Sequence, residues 1–202
     1  MATVGLVERS RTVVFDLGEV LVSSGEVLPL LAAEVGVSPA EFATAYWPGR
    51  PAYDLGGAPE DYWTGVVRAL DREPDPALLR RLVQLDSAKW STLPQASADL
   101  LAHVRGRGIR LAVLSNAPAP LAAAVRAAPW SGVVGHLVFS AEEALVKPDP
   151  AIYARADAVY GTEPDDVVFF DDKPENVAAA RAHGWEAHVW SGATAALATL
   201  DR

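Results

Sequence analysis

Residues 12–21 read Thr12-Val13-Val14-Phe15-Asp16-Leu17-Gly18-Glu19-Val20-Leu21, and this segment sets the interpretation of the whole chain. A run of β-branched and aromatic residues ends in a carboxylate at Asp16, and such runs are typical of a strand buried on both faces of a sheet. A buried carboxylate is costly unless the strand opens at its carboxyl end into a crevice, where open α/β sheets bind ligands. Taken alone, Asp16 could equally be a turn residue or a helix cap after a strand. Its role therefore depends on the rest of the chain.

The composition is that of a globular protein and limits its partners. The chain has 202 residues, of which 50% are hydrophobic and 21% charged, which suits one large domain or a core with an insert. A formal net charge of -9 argues against binding to nucleic acid or to an anionic membrane. The absence of cysteine excludes disulfides and thiolate metal sites and fits a reducing cytoplasm. Residues 1–11 contain no apolar stretch of signal-peptide length and no later segment resembles a membrane span, so we expect a cytoplasmic protein.

After the first strand, the hydrophobic spacing becomes helical from about residue 23 to residue 90. The segment Ser38-Pro39-Ala40-Glu41 is a capping box with proline at the first helical position, and Pro59 and Pro76 open further helices. The segment 46–51, which contains Pro and Gly, predicts a loop. The sequence therefore predicts a small all-helical insert.

From residue 95 onward, predicted strands alternate with predicted helices. The strands are expected at 109–114, 133–140, 167–170 and 187–190. This alternation is typical of right-handed βαβ units with a parallel sheet covered on both faces. We therefore predict a doubly wound parallel α/β core domain, formed by residues 1–20 and 93–202, with a helical cap domain of residues 21–92 inserted after the first strand.

Polar clusters follow three of the predicted strands. They are Asp16, Ser115-Asn116 and Asp171-Asp172. A further polar residue, Lys147, precedes Pro148 in a loop that enters a helix. Because the carboxyl ends of parallel strands lie along one edge of a sheet, we expect these side chains to meet in one crevice.

The expected cluster has the composition of a phosphoryl-transfer site. Carboxylates brought close together repel one another unless a cation compensates, and Mg²⁺ suits a site with few carboxylates and a substrate phosphate. Lys147 adds a positive charge and Ser115 a hydroxyl, and the backbone amides from Ser115 to Ala117 can cradle a phosphate at the start of a helix. With a carboxylate nucleophile, these groups predict transfer through an aspartyl-phosphate.

Four segments, in this order, resemble the motifs of the haloacid dehalogenase (HAD) superfamily of hydrolases, whose members are mostly phosphatases. They are Val14-Phe15-Asp16-Leu17-Gly18, Leu114-Ser115-Asn116, Lys147-Pro148-Asp149-Pro150 and Phe169-Phe170-Asp171-Asp172-Lys173-Pro174-Glu175-Asn176. The resemblance covers nearly the whole chain. The helical insert resembles the cap of the subfamily that includes sugar-phosphate phosphatases.

The resemblance implies a nucleophile and a metal site. Asp16 would be the nucleophile, and Mg²⁺ would be held by Asp16, the carbonyl of Gly18 and Asp172. Asp171 would be a direct ligand or would support one, and Asn176 would hydrogen-bond within the same network. Mg²⁺ is therefore the cofactor that we expect.

The substrate side of the site would combine core and cap residues. The resemblance implies that Ser115 and Lys147 act on the transferring phosphoryl group, with Asn116 in the same substrate subsite. Lys147 would also offset the charge of the nucleophile. In the cap, Arg50 and Tyr53 lie in a loop segment rich in Pro and Gly, and we expect them to contact the substrate.

The chain departs from the family pattern at one position. Family phosphatases usually carry a second Asp two residues after the nucleophile, as general acid and base, and here that position is Gly18. Glycine can offer its carbonyl to a metal, but it cannot protonate a leaving alkoxide, a step worth about 10²–10⁴-fold. Water, a cap residue or Glu19, the nearest alternative acid, would then supply the proton.

These observations predict a Mg²⁺-dependent phosphatase for a small phosphorylated metabolite, for which a sugar phosphate is one candidate. An alternative is a 2-haloacid dehalogenase, which would use Asp16 on carbon without a metal and which Gly18 permits. A third interpretation is a non-catalytic binding protein with the same fold, against which the intact Asp16, Lys147 and acidic pair argue. We expect a monomer or a homodimer with no nucleic-acid or membrane partner.

Overall fold

The computed structural model describes residues 11–201, which contain a parallel sheet of five strands. Residues 1–10, which belong to the predicted core segment 1–20 and to the region considered for a signal peptide, lie outside the described residues, as does residue 202. The strands are β1 (Thr12–Phe15), β2 (Arg110–Ser115), β3 (His136–Phe139), β4 (Val167–Asp171) and β5 (Glu186–Val189). Their order across the sheet is β3-β2-β1-β4-β5, which confirms the predicted doubly wound α/β fold.

Strand β1 lies at the centre of the sheet and runs parallel to both of its neighbours. Its register places Val14 opposite Ala112 of β2 and opposite Phe169 of β4. All four residues of β1 are buried, as its uninterrupted apolar sequence predicts for a strand covered on both faces. Because β1 is central, the residue that follows it, Asp16, lies in the middle of the carboxyl edge of the sheet.

Helices accompany the sheet along the described part of the chain. They are α1 (Ser24–Val35), α2 (Pro39–Tyr46), α3 (Arg50–Asp54), α4 (Pro59–Ala69), α5 (Pro76–Trp90), α6 (Gln95–Gly106), α7 (Ala119–Ala127), α8 (Ser140–Glu143), α9 (Pro150–Tyr160), α10 (Pro174–His183) and α11 (Ala193–Leu200). None of these helices alone is long and apolar enough to cross a membrane. Helices α1 and α2, which are bent by 98° at their junction, reach that length and apolar composition only when they are taken together. Strand β3 is shorter than the predicted strand 133–140, because residues Pro129–Val133 form a 3-10 helix and Val134 donates its N–H to the carbonyl of Ser131.

The chain after β1 folds into helices α1–α5, which begin and end where local signals predict. The hydroxyl of Ser38 accepts a hydrogen bond from the N–H of Glu41 at 3.2 Å, and the carboxylate of Asp75 accepts one from Leu78 at 2.9 Å. Each side chain satisfies a donor that the first helical turn leaves free. Helix α1 ends at Gly36, whose φ of 75° is left-handed and favours glycine. The predicted starts of α2, α4 and α5 are confirmed.

The prediction of a loop over residues 46–51 is wrong in part. Residues Arg50–Asp54 form the short helix α3, with Pro51 in its first turn, where the missing N–H of proline removes no helical hydrogen bond. Arg50 and Tyr53 therefore lie on a helix, and its orientation decides which of them faces the crevice.

Two hydrophobic clusters cover the two faces of the sheet. On one face, Phe15 belongs to a cluster that includes Phe42 of α2, so the helices after β1 share a continuous core with the sheet. On the other face, Val14 packs in a cluster with Tyr153 of α9. The helical insert therefore packs on the face of the sheet to which Phe15 belongs. Its predicted limits, residues 21–92, stay a prediction.

Candidate active site

The carboxyl ends of β1, β2 and β4 bring the predicted polar residues together. Asp16 follows β1 directly, and its N–H donates to the carbonyl of Phe170 at 2.9 Å. Ser115 is the last residue of β2, and Asp171 is the last residue of β4. Carboxylate oxygens of Asp16, Asp171 and Asp172 all lie within 4.8 Å of one another. The predicted convergence of residues that are distant in the sequence is therefore a feature of the structure.

A cavity of about 430 Å³ lies in front of Asp16, between the sheet edge and the helical insert. Its lining combines the sheet edge with residues of the insert: Asp16, Leu17, Gly18, Glu19, Trp47, Arg50, Pro51, Asp54, Trp90, Ser115, Asn116, Leu121, Val146, Lys147, Asp172, Lys173 and Asn176. Most of the predicted site residues therefore face one cavity. Sequence reasoning gave no role to Asp54, Trp90 or Lys173, which lie there as well.

Lys147 is the cation at the centre of the cluster. Its Nζ lies 3.0 Å from Oδ1 of Asp16 and 2.6 Å from Oδ2 of Asp171, and it donates to the carbonyl of Leu114 at 2.9 Å. Burial lowers the pKa of Lys147, but Asp16 and Asp171 outweigh this effect, so its pKa lies above the ordinary value. The ammonium therefore stays charged and holds two carboxylates in place.

Asp16 is a nearly buried carboxylate with a fixed orientation. Burial raises the pKa of Asp16 to about 6, against the opposing effect of Lys147. The N–H of Leu17 donates to Oδ1 of Asp16 at 2.7 Å, and the nearby Ser115 has a small lowering effect on the pKa of the carboxyl. A carboxylate whose pKa is shifted by burial and by a specific partner, and which faces a cavity, is typical of functional sites.

The two acidic residues at the end of β4 have different surroundings. Asp171 is fully buried, and besides Lys147 it accepts hydrogen bonds from the N–H of Lys173 and from Nδ2 of Asn176, both at 2.9 Å. Asn176 is thus the network partner that the sequence predicted. Asp172 lines the cavity, and burial together with Asp171 raises its pKa. Asp171 therefore orients the lysine, while Asp172 presents a carboxylate to the cavity.

The loop after β2 is clamped to the lysine loop. Asn116 donates from Nδ2 to the carbonyl of Lys147 at 2.9 Å and accepts at Oδ1 from the N–H of Lys147 at 2.8 Å. The expectation that all the amides from Ser115 to Ala117 are free for a phosphate is wrong for Ala117, because its N–H donates to Oγ of Ser140 at 2.9 Å. Asn116 therefore fixes the position of Lys147 while it lines the cavity.

Five residues of the insert form a second buried polar network, called here the cap charge cluster: Tyr46, Arg50, Asp54, Asp86 and Trp90. Nε of Arg50 lies 2.7 Å from Oδ1 of Asp54, and Nη1 lies 3.4 Å from Oδ2 of Asp86. The hydroxyl of Tyr46 donates to Asp86 at 2.7 Å and accepts from Nε1 of Trp90 at 2.9 Å and from Arg50. The predicted substrate contact Arg50 thus faces the cavity, with much of its guanidinium already paired.

Tyr53 does not line the cavity in front of Asp16, which contradicts the expectation that it contacts the substrate there. Its ring stacks on Tyr62 with centroids 4.3 Å apart, and only 1% of its surface is exposed. On α3, the cavity side carries Arg50, Pro51 and Asp54. The sequence could not reveal this orientation, because the segment was expected to be a loop.

Glu19 has a structural task at the edge of the cavity. Its φ of 58° is left-handed, and its carboxylate accepts a hydrogen bond from the N–H of Ser24 at 2.8 Å, in the first turn of α1. A carboxylate at a helix N-terminus is stabilised both by the free N–H groups and by the helix dipole. Glu19 therefore acts as a cap for α1.

Comparison with known proteins gives a family match over most of the chain. The model of a family described as haloacid dehalogenase-like hydrolase matches residues 10–184. A curated relative, the sesquiterpene phosphatase astK of Aspergillus oryzae (strain ATCC 42149 / RIB 40), is 34% identical over 87 residues. That match covers 43% of this chain and 44% of the relative, so the chain aligns with less than half of the length of that protein.

Solved structures share the fold at low sequence identity. A crystal structure of a dehalogenase has a TM-score of 0.77 and 20% identity, covering 98% of this chain and 100% of that one. The L-2-haloacid dehalogenase from Xanthobacter autotrophicus with covalently bound chloropropionic acid has a TM-score of 0.71 and 20% identity, covering 88% and 76%. A variant of the HAD family enzyme bt-2542 from Bacteroides thetaiotaomicron, in complex with magnesium and inorganic phosphate, has a TM-score of 0.69 and 18% identity, covering 91% and 95%. At these identities the likeness is one of fold.

Proposed function

The chain belongs to the haloacid dehalogenase-like hydrolase family, and we propose that it is a Mg²⁺-dependent phosphatase that acts on a small phosphate ester. The observation that carries this proposal is the position of Asp16, which faces the cavity with Lys147 3.0 Å away and Asp172 beside it. A nucleophilic carboxylate, a cation and a further carboxylate suit phosphoryl transfer. The sesquiterpene phosphatase relative and the magnesium and phosphate bound by a structural neighbour support the same activity.

The residues of the cluster fit Mg²⁺. Three carboxylates offer oxygens within 4.8 Å of one another, and Lys147 is the cation between two of them. Asp16, Gly18 and Asp172 line the cavity, and the two carboxylates with the carbonyl of Gly18 would hold the ion, while Asp171 would support the site through Lys147. Once bound, Mg²⁺ would neutralise charge on the carboxylates and on the phosphoryl oxygens.

The side chains of the site would perform the reaction in two transfers. A carboxylate oxygen of Asp16 forms a bond to phosphorus while the ester P–O bond breaks, and the leaving alkoxide takes up a proton from water or from a cap residue and departs as the alcohol. A water molecule then attacks phosphorus, the bond to Asp16 breaks, and inorganic phosphate is released. Lys147 and the hydroxyl of Ser115 would hold the phosphoryl oxygens, while Asn116 keeps Lys147 in position through two hydrogen bonds.

The remaining walls of the cavity favour an ester with apolar surface. Away from the sheet edge, the lining includes Trp47, Pro51, Trp90, Leu121 and Val146. The polar groups opposite, in the cap charge cluster, are largely paired with one another, which leaves few partners for the hydroxyl groups of a sugar. We therefore favour an alcohol that is mostly apolar over the sugar phosphate considered from the sequence, and the sesquiterpene phosphatase relative supports this choice.

A 2-haloacid dehalogenase activity is the second candidate. It would use Asp16 on carbon and would need neither a metal nor an acid at Gly18, and haloacid dehalogenases are among the structural neighbours. The group of Asp16, Asp171 and Asp172 favours the phosphatase, since three carboxylates this close together fit a metal ion that the dehalogenase reaction does not need. The cytoplasmic location and the monomeric or homodimeric state stay predictions.

Hydrolysis of 4-nitrophenyl phosphate by the wild type and by Asp16→Asn, with and without Mg²⁺, tests the proposal. We expect Mg²⁺-dependent turnover that falls by more than about 10³-fold in Asp16→Asn. Asp61→Asn, at an exposed position of α4, is the matched control and should keep full activity. Halide release from 2-chloropropionate without turnover of the phosphate ester would reject the phosphatase in favour of the dehalogenase.

A further inference from the structure

The position that lacks the general acid is flanked by an aromatic wall. A Cβ atom added at Gly18 would lie 3.7 Å from Cζ3 and 3.9 Å from Cη2 of Trp90. The indole is held there because its Nε1 donates to the hydroxyl of Tyr46 at 2.9 Å, and only 4% of Trp90 is exposed. The strand end that carries the nucleophile therefore offers no proton donor on this side, and a donor must come from elsewhere on the cavity.

Four carboxylates line this cavity: Asp16, Glu19, Asp54 and Asp172. Asp16 is the proposed nucleophile, and Asp172 is a proposed Mg²⁺ ligand. Glu19 caps α1 through the N–H of Ser24. Among the acids that line the cavity in the described part of the chain, Asp54 is therefore the one that is neither the proposed nucleophile, nor a proposed Mg²⁺ ligand, nor a helix cap.

Asp54 is tied to the loop that follows the end of β2. Its carbonyl accepts a hydrogen bond from Oγ of Ser140 at 2.5 Å, and the same Oγ accepts from the N–H of Ala117 at 2.9 Å. One hydroxyl therefore bridges the main chain of α3 and the segment next to Ser115 and Asn116. The main chain of Asp54 is therefore fixed next to the segment that carries Ser115 and Asn116, and Asp54 is one of the residues that line the cavity.

The charges around Asp54 both fix its orientation and leave it able to exchange a proton. Arg50 of the same helix holds Oδ1 at 2.7 Å, and Asp86 of α5 and Lys173 from the loop before α10 also act on it. Burial raises the pKa of Asp54 to about 6, with Arg50 as the main opposing influence. A carboxyl that titrates near neutral pH suits general acid and base work.

We propose that Asp54 is the acid–base residue of this enzyme and supplies from the cap the function that Gly18 cannot. This inference rests on the proposed phosphatase function. As the ester P–O bond breaks and the bond from Asp16 to phosphorus forms, the carboxyl proton of Asp54 moves to the oxygen of the leaving alcohol. In the second transfer, the Asp54 carboxylate takes a proton from the attacking water, phosphate leaves Asp16, and both residues return to their starting states. Arg50 is a positioning residue in this scheme.

The test compares Asp54→Asn with the wild type on two esters that differ in their need for an acid. The comparison uses kcat/KM, which reports the first transfer and is not affected by the later attack of water that both esters share. The 4-nitrophenolate group leaves without protonation, so kcat/KM for 4-nitrophenyl phosphate should fall by less than about tenfold. An alkoxide needs a proton, so kcat/KM for butyl phosphate should fall by about 10²–10⁴-fold, and Asp54→Glu should recover part of it. The ratio of the two losses is the decisive quantity.

Asp86→Asn is the matched control, since it alters the same cluster at a position that does not line the cavity. It should affect both esters by the same factor, and far-ultraviolet circular dichroism and a thermal melt establish that both variants are folded. Equal losses on the two esters in Asp54→Asn, or no loss on butyl phosphate, would overturn the assignment. If Asp54→Asn does not fold, a steep dependence of the wild-type rate on leaving-group basicity would overturn it instead. Absence of turnover of either ester by the wild type would reject the phosphatase function itself.

Discussion

Two buried charge clusters face the same cavity, and they balance their charges differently. At the sheet edge, one ammonium lies among the carboxylates of Asp16, Asp171 and Asp172. In the cap charge cluster, one guanidinium lies between Asp54 and Asp86, and the hydroxyl of Tyr46 also donates to Asp86. The edge cluster thus contains an excess of carboxylate that a bound cation would neutralise, whereas the cap cluster fills most of its acceptors itself.

This difference distinguishes a site that is suited to bind a ligand from a network that fixes the side chains within it. A buried carboxylate without a partner is costly, so a cluster with more carboxylates than cations favours the binding of a cation. A cluster whose acceptors are mostly filled by its own donors fixes the side chains that it contains. In this chain the second network fixes Arg50, Asp54 and Trp90 in the wall of the cavity and so contributes to its shape.

Removing the cation from each cluster should have the largest effect and should distinguish the two. We expect Lys147→Met to lower the free energy of unfolding by about 3–5 kcal/mol, because it leaves buried carboxylates unpaired. Mg²⁺ should restore part of this loss, since it can neutralise the carboxylates that Lys147 leaves. Arg50→Met, the matched variant in the cap, should also be destabilised, but Mg²⁺ should stabilise it no more than it stabilises the wild type. Urea unfolding with and without Mg²⁺ measures both, and equal Mg²⁺ responses would contradict the distinction.

The next effect concerns pH and the cap cluster alone. Burial raises the pKa of Asp54 from 3.8 to about 6, so between these values the folded state binds more protons than the unfolded state. The stability that this proton contributes is complete below the lower value and is lost as the pH rises through the higher one. Relative to Asp54→Asn, the wild type should therefore lose up to about 3 kcal/mol between pH 4 and pH 7. Urea unfolding across this range measures the difference, and parallel pH profiles would show that Asp54 does not titrate there.

The smallest expected change in the free energy of unfolding comes from a comparison of two glycines, one beside each cluster. Gly18→Ala should change the free energy of unfolding by less than about 0.5 kcal/mol, because its Cβ meets Trp90 at an ordinary contact distance of 3.7 Å. Its carbonyl would remain available to the metal, so Mg²⁺-dependent turnover should persist. Gly57→Ala, beside α3, is the contrasting variant, since its Cβ would lie 2.8 Å from the carbonyl oxygen of Ala52, and it should cost about 1–3 kcal/mol. Thermal melts measure both, and a larger loss in Gly18→Ala would mean that the wall at Trp90 is tighter than the contact distance indicates.

Much of the edge cluster could be predicted because it follows from topology. The apolar run that ends at Asp16 predicts a buried strand, and parallel strands bring Ser115 and Asp171 to the same edge without any knowledge of packing. Lys147 was predicted from its place before Pro148, and the structure gives its physical role as the partner of two carboxylates. The sequence left open whether Asp171 would hold a metal directly, and the structure buries Asp171 against Lys147.

The cap residues show where inference from sequence ends. The spacing of Arg50 and Asp54 suits an ion pair only on a helix, and the segment was expected to be a loop. Tyr53, between them, turns into the core and stacks on Tyr62. Nothing in the local sequence of Trp90 indicates that its indole closes the space beside Gly18.

The linear chain was therefore sufficient to predict the parallel sheet, most of the helix starts and the polar residues at the strand ends. The hydrophobic period, helix capping and strand polarity are local properties of the sequence. Because the strands of a parallel sheet all end at the same edge, these properties also indicate which strand-end residues lie close together in space. The second half of the site required the folded molecule, because the face that α3 presents and the position of Trp90 depend on how helices pack against one another and on the sheet. Such packing is set by contacts between residues that are distant in the sequence, as with Asp54 and Ser140, and no local pattern encodes it.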